Sequence, residues 1–155
     1  MNINSLLIAL HMLSAVIWVG GMFFAYMCLR PVAATQLEPP TRLTLWVGTF
    51  GKFFPWVWAS VIVLPLTGYW MLFVMFGGFA NAPIYVHLMN GIGIIMILIY
   101  LHVFFAPYRR LKQAVLQQDW PTGGQKLGQI RMLVGLNTLL GLITVAIASG
   151  GRYFG

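Results

Sequence analysis

Acidic residues are nearly absent from this chain: Glu38 and Asp119 are the only two in 155 residues. Both sit among turn-forming residues, in Glu38-Pro39-Pro40-Thr41 and in Asp119-Trp120-Pro121-Thr122-Gly123-Gly124. No buried carboxylate pair is therefore available for general acid–base chemistry. Cysteine is almost as scarce. A single Cys28 excludes an intramolecular disulfide and a four-cysteine metal site. No glycine-rich loop ends in Lys-Ser or Lys-Thr, which removes a phosphate-loop nucleotide site. Charged residues make up only 7% of the chain, against about 25% in a soluble domain. The net charge of +7 forms no basic face, so nucleic acid is excluded as a partner. No internal repeat and no low-complexity tract is visible.

Apolar residues fill the space left by these absences, at 60% of the sequence. They fall into four blocks, about 3–29, 53–76, 83–108 and 130–149. Each is long enough to cross roughly 30 Å of hydrocarbon, which takes about 20 residues. The expectation is all-α: one transmembrane domain over residues 1–155, an integral membrane four-helix bundle running up-down-up-down. The first block has no basic segment before it and exceeds a signal-peptide core, so it reads as a retained span. Arg30-Pro31 is expected to end it, because proline cannot continue the helical ladder. Thr41 is expected to cap a short interfacial helix over 42–51. Pro65 is expected to kink the second span. Helix 3 is expected to extend out of the membrane to about Gln118, and residues 119–124 then read as a loop.

Basic residues set the orientation. Arg30, Arg42, Lys52, Arg109, Arg110, Lys112, Lys126 and Arg131 flank the 1–2 and 3–4 connections, and only Arg152 lies on the other side. The positive-inside rule then places both termini in the periplasm of an inner-membrane protein.

The third block carries no Asp, Glu, Lys or Arg, yet it holds His87 and His102. Ionisable groups inside a span point to function. Gly91 lies one turn from His87, leaving room for a flat ligand against the backbone. The first block holds His11, and Ser14, Ala15, Trp18, Met22 and Ala25 share its face. His11 and His87 fall in the outer half of the membrane, within roughly 5 Å of one level. Helices 1 and 3 lie diagonally across such a bundle. Two imidazoles at matched depth suit axial ligation of haem iron. His102 lies near the cytoplasmic surface. Fourteen residues after His11 stands Ala25, which cannot ligate, so one haem is favoured over two. Met22 is the remaining candidate to pair with His102.

The main reading is a haem b-binding, cytochrome-like electron-transfer protein, a membrane oxidoreductase with His11 and His87 as axial ligands and His102 as a further cofactor contact. Its partners would be the lipid bilayer and a redox protein or quinone, with self-association left open. Copper is the alternative metal, held by the soft donors His11, Met22, Cys28, Met71 and Met75.

Leu10-His11-Met12-Leu13-Ser14-Ala15-Val16-Ile17-Trp18-Val19-Gly20-Gly21-Met22-Phe23 resembles the first helix of the copper resistance protein D superfamily. That superfamily also holds the HemJ type of protoporphyrinogen oxidase. Leu66-Thr67-Gly68-Tyr69-Trp70 resembles its second-helix element, and Arg131–Ala146, with Asn137 and Gly141, its last helix. The resemblance implies a membrane bundle linked to haem, copper or porphyrin chemistry, with His11 at a functional position. HemJ-like proteins typically carry a lysine near the start of helix 3, where this chain has His87. The basic segment after helix 1 is reduced to Arg30-Pro31. Porphyrinogen oxidation and copper transport therefore stand as alternatives to haem-based electron transfer.

Overall fold

Four long helical segments, each apolar enough to cross a membrane, make up the protein. The computed structural model describes residues 2–153. Helix α1 spans Ile3–Phe24, a π-helical turn follows over Ala25–Leu29, and α2 spans Arg30–Gln36. Helix α3 runs over Pro39–Met75, α4 over Ile84–Phe105, α5 over Pro107–Leu116 and α6 over Trp120–Gly150. Short 3-10 turns at Phe79–Asn81 and Gly151–Tyr153 complete the chain. The described residues contain no strand, so the all-α membrane bundle read from sequence stands.

Three boundaries differ from the sequence reading. Arg30-Pro31 does not end the first segment, which continues to Gln36. The π turn is the reason. A proline ring clashes with the carbonyl four residues back, and widening the helix by one residue relieves the clash. The Arg30 N–H accordingly donates to the Ala25 carbonyl, five residues back. The separate interfacial helix over 42–51 is instead the first part of α3, which starts at Pro39 rather than at a Thr41 cap. Proline fits a first helical turn because its missing N–H would have been unpaired there. Helix α3 is about 56 Å long at 1.5 Å per residue, so it must project beyond the hydrocarbon. The predicted loop over 119–124 is helical from Trp120 onward. Asp119 caps α6 by accepting the Thr122 N–H at 3.3 Å. The loop shrinks to Gln117–Asp119, with Gln118 at φ 55°.

Helix α1 packs closely on α3, and α4 on α6; α1 also meets α6, which closes the bundle. Between α3 and α4 the contact is made by large rings. Trp58 meets Tyr100 and Phe104 edge-on, each at 5.3 Å, and Phe54 meets Tyr100 at 5.5 Å. The centre is filled by Trp18, Val19, Met22, Met96 and Tyr100, all buried. Gly141 makes this closeness possible, since a Cβ there would come within 2.8 Å of Val19. The buried face of α1, Trp18-Met22-Ala25, is the one that continues from His11.

Serine and threonine hydroxyls in the spans are satisfied within their own helices. Ser60, Thr67, Thr138 and Thr144 each donate to the carbonyl four residues back. Asn137 instead links two helices, donating from Nδ2 to the Met96 carbonyl at 3.2 Å. Interhelical bonds of this kind in lipid contribute about 0.6 kcal/mol on average. Asn137→Ala is expected to lower bundle stability by about 0.5–1 kcal/mol, read as a shift in the denaturation midpoint in detergent.

One end of the bundle is basic. The turn at Leu37–Glu38 and the turn at Gln117–Asp119 lie there, with Leu43 of α3 against Gly123 of α6. Helix α5 lies along it, burying Pro107, Tyr108, Leu111 and Ala114 and exposing Arg109, Arg110 and Lys112. The opposite end carries His11 and His87.

Candidate functional site

His11 stands on α1 facing α3. Its Nδ1 lies 2.7 Å from the Thr67 hydroxyl oxygen. Thr67 has one proton, and it is used: the hydroxyl donates to the Val63 carbonyl at 2.7 Å. A hydroxyl that has given its proton away can only accept from His11. With the Thr67 proton assigned to the Val63 carbonyl, His11 donates from Nδ1 and keeps its lone pair on Nε2. This is the arrangement that orients a metal-binding imidazole, with Nδ1–H held by a hydrogen bond and Nε2 left as the ligand atom. Gly68 completes the seat. A Cβ at this position would come within 3.2 Å of His11 Cε1, so glycine lets the ring approach α3 closely.

Four methionines stand on the helix turns at this end of the bundle. Met71 is one turn beyond Thr67 on α3, and Met75 one turn further. Met12 follows His11 directly, and Met89 lies two residues after His87 on α4. Met71 and Met89 are half-buried; Met12 and Met75 are exposed. Helices α3 and α4 are tied together at this level by Tyr69, whose hydroxyl donates to Asn90 Oδ1 at 2.7 Å.

The three histidines have different surroundings. His11 is half-buried against α3. His87 is exposed, with its ring 6.1 Å from that of Phe79. Gly91, expected to shelter a ligand beside it, is exposed with open space at its Cβ position. His102 is exposed near the end of α4, whereas Met22 is buried, so these two are not brought together. Cys28 is exposed on the π turn. Among the described residues no three His, Cys, Asp or Glu side chains converge on a metal-sized space. A site built on His11 would therefore draw its other donors from thioethers.

Sequence reasoning found His11 and its face but gave Thr67 no role. The signal was present: Thr67-Gly68 is a polar residue and a glycine inside an apolar run. Only the pairing of α1 with α3 shows that they meet His11.

A cavity of about 320 Å³ lies at the basic end, between α2, α3 and α6. A small void of about 20 Å³ separates it from the bundle centre, sharing Ala25, Phe50 and Val134 as walls. Asn137 lines that void, and its Oδ1 has no hydrogen-bond partner among the described residues.

No curated protein and no solved structure matches this chain. A family model does: copper resistance protein D matches residues 47–150. The match covers most of α3 and all of α4 and α5, with α6 to its last residue, and so takes in Thr67, Gly68, His87, His102 and Asn137. His11 precedes it. With four apolar spans and two thirds of its length matched, this multi-pass membrane protein belongs to the copper resistance protein D family.

Proposed function

We propose that the protein binds Cu(I) at the His11 end of the bundle, as a membrane component of copper handling. The observation that carries this reading is the hydrogen-bond chain from His11 to Thr67 to Val63, which leaves Nε2 of His11 as a fixed donor. Imidazole and thioether together suit Cu(I) better than a hard cation. The residues present fit such an ion: His11 would supply nitrogen, and Met71, with Met12 or Met75, would supply sulfur. Copper here is cargo. The chain's own part is to hold the ring in one tautomer and to keep competing carboxylates away from the site.

The haem reading has less support. It needs a second imidazole opposite His11, and His87 is exposed beside Phe79. Loading of the purified protein with Cu(I) against a competing chelator tests the proposal. Stoichiometric uptake supports it; no uptake, with haem bound instead, would sink it.

The site is assigned to the periplasmic side of an inner membrane because eight of the nine basic residues flank the other end. A reporter fused after Gly155 should be active as a periplasmic fusion. Cytoplasmic activity at that position would place the copper site on the opposite face.

A further inference from the structure

We propose that the cavity at the basic end is a binding site for the phosphodiester headgroup of an anionic membrane phospholipid. The cavity has a volume of about 320 Å³. Three arginines line it, each from a different helix: Arg30 of α2, Arg42 of α3 and Arg131 of α6. No carboxylate lines it. Glu38 directly precedes the lining residue Pro39 but is exposed and caps nothing.

Two of the guanidiniums are held in place. Arg30 Nε donates to the Tyr26 carbonyl at 3.1 Å, and its charge lies 4.4 Å from the centre of the Tyr26 ring. Tyr26 is itself seated over Gly135, where a Cβ would come within 2.7 Å of the ring. Arg42 Nη1 donates to the Ala34 carbonyl at 3.2 Å. Each bond uses one N–H and leaves the rest of the fork free. Three like charges around one cavity repel one another unless an anion sits between them. Guanidinium matches phosphate oxygens in pairs, which a point charge does not.

The walls decide the class of anion. Behind the arginines stand Trp46, Phe50 and Trp120, with Trp46 and Phe50 buried. A polar rim over an apolar floor fits a molecule with a charged head and a hydrocarbon tail. The cavity also lies at the end of the spans where lipid headgroups gather, and basic pockets between spans on the positive side suit anionic lipid heads. The π turn shapes it, since Ala25 and Tyr26 are lining residues. This inference does not depend on the copper site, which is at the other end.

The test is native mass spectrometry of the full-length protein in detergent, titrated with phosphatidylglycerol or phosphatidylcholine. Wild type should retain phosphatidylglycerol with roughly a tenfold preference, the scale of one charge-assisted bond. Arg30→Gln/Arg42→Gln/Arg131→Gln should lose that preference. Gly128→Leu supplies a variant with all charges intact. Gly128 lines the cavity and has open space at its Cβ position, so leucine fills the site without displacing packed atoms. It too should lose the preference, at unchanged helix content. An unchanged preference in Gly128→Leu would overturn the proposal. So would equal binding of both lipids by wild type. A third arm adds inorganic phosphate; displacement of the lipid by phosphate at equimolar amounts would make the ligand a free anion, and the lipid assignment would fall.

Discussion

His11→Ala removes Cu(I) binding from the protein while the bundle still assembles. The loss should be at least about 100-fold in affinity, beyond the 10–100-fold that follows loss of an outer-shell partner. Among the described residues, His11 is the imidazole at its end of the bundle that is packed against a neighbouring helix and held by a hydrogen bond. Its removal leaves thioethers alone, which cannot replace a nitrogen donor of fixed direction. Folding should survive. His11 is only half-buried, and the central contacts of Trp18, Met22, Met96 and Tyr100 lie below it. His102→Ala is the matched control: an exposed imidazole near the far end of α4, whose loss should leave Cu(I) affinity unchanged. An equal loss in both variants would mean that copper is bound by neither site in particular.

The second large effect is expected at Thr67. Thr67→Val keeps the shape and removes the hydroxyl, so the Nδ1–H of His11 loses its acceptor at 2.7 Å. The ring is then free to turn or to change tautomer, and the affinity should fall by about 10–100-fold. Thr67→Ser restores the oxygen and should restore most of the affinity. A purely structural role for Thr67 would lower stability in both variants and separate neither. Gly68→Val approaches the same ring from the other side. Its Cβ would lie 3.2 Å from His11 Cε1 and press on the ring, so it should weaken copper binding with the hydroxyl still in place. Chelator competition on the purified proteins, with thermal midpoints alongside, distinguishes these cases.

Much of this was legible before any coordinates. Long uncharged runs permit only spanning helices, because lipid offers backbone groups no partner. The buried face of α1 followed from helical spacing alone: Trp18, Met22 and Ala25 lie below His11. What failed was local chemistry at prolines. Pro31 looked like a stop because the sequence does not show that a π turn has room for its ring. Pro121 looked like part of a loop, although proline in a first turn behind a capping aspartate begins a helix. The neighbours of each histidine were hidden for another reason. Matched depth is a property of one helix at a time, while rotation about the helix axis is set by packing against the others. His11 turned toward α3 rather than toward His87. The arginine cavity was hidden in the same way: Arg30, Arg42 and Arg131 are far apart in sequence and meet only where three helices converge.

The most direct test of the copper assignment is the metal and haem content of the protein and of His11→Ala, purified from cells supplied with both copper and haem precursors. The expected result is copper equimolar with the wild-type chain, none in His11→Ala, and no Soret band in either. Equimolar haem in the wild type, lost in His11→Ala and in His87→Ala alike, would contradict it and make these two histidines the axial ligands of an electron-transfer haem.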